Sequence, residues 1–211
     1  MEPQRNASQP TPDLEPARDS EAASARRDPP SIVYGALLFY LPMLAIALVW
    51  SALADDALPY ANPEAARGGV DWLRDPAAGA AAAAFAIALS QWLTRGTQWG
   101  ERMGRFLGQA LGRLDWRRCL LLAALSGVAE ETLFRGMLQP RIGLVAASLL
   151  FGLVHFVPRR ELLPWTLMSI AAGFLLGWLF DVTGNLVAPV VAHAGINAVN
   201  LRFISQRYAS A

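Results

Sequence analysis

Between Cys119 and Leu138 the chain is apolar with one interruption, and that interruption restricts the possible folds more than any other feature. It is Ser126 to Gly136, SGVAEETLFRG, which sets two adjacent carboxylates and an arginine between flanks (CLLLAALSGVA before, MLQP after) that offer no polar face. A helix at a protein–water surface turns such charges outward, and here no wet side exists. Ionisable groups in an apolar, membrane-type segment are expensive unless paired or used, which makes Glu130, Glu131 and Arg135 functional candidates. Helical geometry sorts the three. At about 100° per residue, Glu131 and Arg135 form an i,i+4 pair with the acid N-terminal, the favourable order, while Glu130 points about 100° away. The expectation is that Glu131 and Arg135 neutralise each other and that Glu130 is left for chemistry.

The rest of the composition says which solvent surrounds that stretch. Of 211 residues, 54% are hydrophobic, and the mean hydropathy of +0.31 is concentrated in blocks. The length suits one domain of moderate size. A net charge of +1 gives no indication of a nucleic-acid partner, and all 18 basic residues are arginine. The single cysteine, Cys119, is flanked by apolar residues, has no internal disulfide partner and reads as inert.

Residues 1–30 are rich in Pro, Ala, Ser, Asp, Glu and Arg and read as a disordered N-terminus. The apolar block after them is too long for the core of a secretory signal. Ile32 to Ala54 is long enough to cross a bilayer, because roughly 20 apolar residues cross a core of about 30 Å. Pro42 inside it is a candidate kink. Asp55 to Pro76 reads as a polar loop, and Ala77 to Thr94 as a short, alanine-rich second span suited to close helix packing. Arg95 to Asp115 places Met103, Phe106, Leu107, Ala110, Leu111 and Leu114 on one face and arginines around the other, the pattern of a helix lying in the membrane interface. Trp116 to Gln139 is the third span, with a tight turn between Pro140 and Gly143. The fourth is Ile142 to Val157, the fifth Leu162 to Val182 and the sixth Leu186 to Ile204. The expected fold is all-α: a polytopic transmembrane bundle of about six spans plus an interfacial amphipathic helix. It divides into residues 1–30, two spans and the interfacial helix over 31–115, and a four-helix core over 116–205. Alternating the sides puts fourteen arginines on one side and three on the other. By the positive-inside rule both termini are then cytoplasmic. Tryptophans, Trp165 among them, read as anchors near span ends. Gly127, Gly152, Gly173, Gly177 and Gly195 read as close-packing points between helices, and Asp181 and Asn185 as caps of the loop before the sixth span.

The chain has two histidines, His155 and His193, and both lie in apolar spans. His193 and Asn197 are i,i+4 and share a helix face. Counted from the loops at 1.5 Å per residue, Glu130 lies about 15 Å deep, His155 about 20 Å, His193 about 12 Å and Asn197 about 18 Å. Interhelical hydrogen bonding is the ordinary role of a membrane histidine, but four polar residues from three helices at similar depth suggest one shared site. A carboxylate beside a histidine can hold and deprotonate a water, and a second histidine with an amide can donate to a developing oxyanion. That combination suits hydrolysis of a carbonyl compound, most simply an amide. Zinc held by two histidines and a glutamate is the alternative, although no HExxH is present. A non-catalytic scaffold or a proton-coupled carrier using the same buried cluster is the reading from a different class. The internal repeats common in transporters are absent.

Glu130-Glu131-x-x-x-Arg135, Phe151-x-x-x-His155 and His193-x-x-x-Asn197, in that order on successive spans, resemble the three motifs of the CAAX-protease and bacteriocin-processing (Abi) family of intramembrane glutamic endopeptidases. The resemblance covers about Leu114 to Asn200. It implies that Glu130 and His155 activate the attacking water, that His193 and Asn197 stabilise the oxyanion, and that Glu131 and Arg135 support the site; Phe151, of the second motif, is a further supporting candidate, and general-base geometry favours a site with no cofactor over the zinc alternative. It also implies a membrane-associated protein or peptide as substrate and the bacterial cytoplasmic membrane as location. The eukaryotic members remove the last three residues after a prenylated cysteine.

Overall fold

The computed structural model describes residues 30–54 and 69–209. The expected disordered N-terminus and most of the loop at 55–76 lie outside the described residues. Among those described the fold is all-α. Seven α-helices follow one another: α1 Pro30–Leu53, α2 Arg74–Gly96, α3 Gln98–Leu111, α4 Trp116–Glu131, α5 Gln139–Val154, α6 Leu163–Thr183 and α7 Val187–Tyr208. A π-helical turn, Thr132–Leu138, joins α4 to α5, and a 3-10 turn, Arg160–Leu162, leads into α6.

Among the described residues five stretches are long and apolar enough to cross a membrane, and one of them, Trp116–Val154, runs for 39 residues. That stretch is two arms. At Gly143 the backbone leaves the helix at φ 80°, ψ 164°. The rings of Phe134 and Phe151 lie only 5.1 Å apart across it, whereas 17 residues of straight helix would separate them by about 25 Å. The expected turn between Pro140 and Gly143 is therefore a reversal at Gly143 alone. Pro140 lies near the end of the outgoing arm, three residues before that reversal. The returning arm is shorter than expected. Its helix ends at Val154, with His155 capping the open end, instead of running to Val157. Pro42 does not interrupt α1.

α7 is the central strut, packed against α2, α3, α4 and α6. Small residues make this possible. A Cβ at Gly127 of α4 would lie 3.2 Å from the Ala194 nitrogen of α7, and a Cβ at Gly195 would lie 3.1 Å from Ala83 of α2. Close backbone approach of this kind drives helix association where both helices are as apolar as their solvent. Polar clamps fix the register. Asn200 of α7 donates to Ser90 Oγ of α2 at 3.0 Å. At the far end the fully buried Asp75 accepts from Asn185 Nδ2 at 2.7 Å. Asn185 also caps α7, accepting from the Val187 amide at 2.9 Å as expected. Asp181 instead reaches across the bundle and accepts from Gln139 Nε2 at 2.8 Å.

α3 presses Gly104 and Gly108 against the Tyr208 side chain at the end of α7. Of its expected apolar face, Met103 and Leu114 are buried, Phe106, Leu107 and Leu111 half-buried, and Ala110 exposed. The arginines separate by end of the bundle. Arg95 stacks on Phe203, Arg159 on Phe106 and Arg202 on Trp116 at one end. Arg141 meets Trp50, and Arg74 meets Asp75, at the other.

Candidate active site

The site forms where α4, the end of α5 and the middle of α7 converge. Glu130 and Glu131 close α4 immediately before the π turn, the kind of irregularity that recurs at functional positions. Arg135, in that turn, is 1% exposed and donates through Nη1 to Glu131 Oε1 at 3.0 Å. Its Nη2 donates to the carbonyl of Gly173 on α6 at 3.1 Å. The ion pair expected from the i,i+4 spacing is present, but it is not closed on itself. The same Oε1 of Glu131 also accepts from His193 Nδ1 at 2.7 Å. Glu131 therefore holds a cation on its own chain segment and an imidazole from α7 together.

The two histidines present themselves alike. His155 Nδ1 lies 2.7 Å from the Phe151 carbonyl. A carbonyl can only accept, and a carboxylate already taking an arginine N–H accepts as well, so both Nδ1 atoms carry the hydrogen. The Nε2 atoms are left facing the other carboxylate, Glu130, with His155 Nε2 3.7 Å and His193 Nε2 4.0 Å from its Oε2. Glu130 Oε2 is buried and makes no hydrogen bond to any described residue. Three acceptors thus point at one place without a hydrogen between them.

Phe151 is the spacer of the cluster. Its ring centre is 4.8 Å from that of His155 and 5.8 Å from that of His193. The Arg135 guanidinium lies 4.4 Å over its face. The side chain of His155 is 21% exposed against 7% for Glu130 and for His193, so it is the most accessible of the three. Trp165 stands beside it with its ring centre 6.1 Å from the imidazole.

Asn197 is brought to the neighbouring turn. Its Nδ2 donates to Ser126 Oγ at 2.9 Å, joining the turn of α7 after His193 to the turn of α4 before Glu130. Two polar neighbours escaped the sequence reading. Ser126 is i−4 to Glu130, and its spacing was a usable signal. Tyr40 of α1, half-buried, brings its hydroxyl to the Glu130 carboxylate; a tyrosine in an apolar span gives no sign of which helix it will meet. Among the described residues no three His, Cys, Asp or Glu side chains are arranged to hold a metal ion.

The family described as type II CAAX prenyl endopeptidase Rce1-like matches residues 113–199. Every candidate named above except Tyr40 falls inside that segment. Over 82 residues, 38% of the chain, the sequence is 49% identical to the uncharacterized protein YpbD of Bacillus subtilis (strain 168). The matched part spans 42% of that relative's length. No solved structure matches significantly. Over residues 113–199 the chain is similar to the Rce1-like family of type II CAAX prenyl endopeptidases.

Proposed function

We propose that this protein is an intramembrane endopeptidase that hydrolyses a peptide bond of a membrane-associated protein or peptide, with Glu130 activating the attacking water. The observation that carries this reading is the convergence of three acceptors, with the Nε2 atoms of His155 and His193 lying 3.7 Å and 4.0 Å from Glu130 Oε2. A water molecule, with two hydrogens to give and a lone pair to use, is the reactant that such a set is built to hold.

The chemistry follows from these atoms. Water donates to Glu130 and to His155 Nε2. As its oxygen bonds to the scissile carbonyl carbon, Glu130 takes a proton. The carbonyl oxygen becomes an oxyanion, met by the second amide hydrogen of Asn197 and by His193 Nε2, which takes a proton from solvent as substrate binds and keeps it through the turnover. Glu131, on the other nitrogen of His193, stabilises that imidazolium while Arg135 holds Glu131 in place. Collapse of the intermediate breaks the C–N bond, and the proton carried by Glu130 passes to the leaving nitrogen. Hydroxide and proton are both supplied by the water, so the step balances. The arginine-rich end of the bundle, with both termini, faces the cytoplasm of a bacterial cell in this reading.

Glu130→Gln keeps the shape and removes the base. The expected result is loss of cleavage by at least about 10²-fold, the usual weight of a general base, while the variant accumulates in the membrane and melts like the parent. Cleavage at the parental rate would end the proposal. Activity is also expected to survive prolonged chelation, and loss restored by added zinc would replace the metal-free mechanism.

A further inference from the structure

Away from Glu130, the elbow between α2 and α3 holds two adjoining recesses that share Arg95 and Gly96. One, about 540 Å³, is lined by Arg95, Arg102 and Arg105, with Glu101 and the first residues of α3, Thr97 and Gln98. The other, about 420 Å³, runs back along α2 over Ala88, Gln91 and Trp92.

The two differ in chemistry. Glu101 is the only acid in the first, and both its oxygens are occupied, Oε1 by Arg105 at 3.3 Å and Oε2 by the Tyr208 hydroxyl at 3.1 Å. Three guanidiniums against one carboxylate leave the recess with a net positive charge, and the start of α3 adds N–H groups with no intrahelical acceptor. The second recess lies on an outward flank of α2, where Trp92 is 68% exposed. In a bilayer that flank meets acyl chains, and the arginines one turn beyond it meet headgroups. Arg95 stands at the junction, its guanidinium 4.7 Å over the ring of Phe203 on α7.

We propose that this elbow binds one anionic glycerophospholipid, its phosphate on Arg95, Arg102 and Arg105 and one acyl chain against Trp92. The lipid ties α2 and α3 to the end of α7, because Arg95 rests on Phe203, Phe203 packs on Tyr208, and Tyr208 holds Glu101. Neither the binding nor its measurement depends on peptidase activity.

Thermal unfolding of the full chain in detergent tests this, with phosphatidylglycerol, phosphatidylcholine or glycerol phosphate added at equal concentration. Phosphatidylglycerol alone is expected to raise the melting temperature. R102Q/R105Q removes two exposed cations and is expected to weaken phosphatidylglycerol binding about 30-fold, at roughly a factor of five per arginine. Trp92→Ala is expected to weaken it as well. Equal shifts with phosphatidylcholine, an equal shift with glycerol phosphate, or a full shift in R102Q/R105Q would each overturn the site. A second measurement needs no variant. Protein reconstituted in equal parts of the two lipids and then gently solubilised is expected to retain phosphatidylglycerol preferentially, and equal retention rejects the proposal.

Discussion

At the scale of single residues, Glu131 carries more than its spacing to Arg135 suggests. One oxygen takes N–H groups from Arg135 at 3.0 Å and from His193 at 2.7 Å, so it fixes which imidazole nitrogen is turned to Glu130. Glu131→Gln leaves the Arg135 guanidinium buried without its counter-charge, and breaking a buried pair from one side costs about 3–5 kcal/mol. The expected outcome is a large drop in melting temperature together with loss of cleavage. In Glu131→Gln combined with Arg135→Met, stability is expected to recover in part, because no unpaired charge stays buried, while activity does not. Melting curves and cleavage rates on the same samples separate the two effects.

At the scale of elements, two glycines serve opposite purposes. Gly143 makes the reversal between the two arms at φ +80°, and a Cβ there would meet nothing within 4 Å. Its need is conformational, and Gly143→Ala is expected to destabilise by about 1 kcal/mol through backbone strain alone. Gly173 has an ordinary helical backbone, but a Cβ there would lie 2.8 Å from the Ser148 carbonyl oxygen and 3.1 Å from its Cα. Its own carbonyl also accepts from Arg135. Gly173→Val therefore pushes α5 away from α6 and pulls the acceptor off Arg135. It is expected to lower both stability and cleavage well beyond the effect of Gly143→Ala. Equal losses from the two would show that contact between α5 and α6 is not what positions Arg135.

At the scale of the whole molecule, α7 links the site to the arginine-rich end. His193 lies about 22 Å along the helix from Tyr208, whose side chain fills the groove left by Gly104 and Gly108. Nearby, Ser205 Oγ takes the Leu114 amide at 2.6 Å and donates to the Gly112 carbonyl at 2.9 Å, binding the α3–α4 connection to the same helix end. Tyr208→Phe removes only the hydroxyl, which donates to Glu101 Oε2 and accepts from Arg207 Nε, and is expected to destabilise by about 1 kcal/mol. Tyr208→Ala empties the groove and is expected to lose about 2–3 kcal/mol. Thermal denaturation of both variants measures the difference, and equal melting temperatures would show that packing there contributes nothing.

Whatever depends on neighbours along one helix was legible in the sequence. Apolar blocks of spanning length gave the all-α bundle, the i,i+4 spacing gave the Glu131–Arg135 pair, and the alternation of arginine-rich loops matches the two ends of the bundle. These follow from a period and a length, and both are properties of a segment taken alone. What the tertiary structure decided is which groups meet across helices: His193 Nδ1 on Glu131 in place of a closed carboxylate–arginine pair, Ser126 under Asn197, the Tyr40 hydroxyl at Glu130, and Trp165 beside His155. A rotation of one residue, about 100°, turns a side chain to a different neighbour. That rotation is set by small residues such as Gly127 and Gly173, which let two backbones touch at one angle and depth, and no segment contains it by itself.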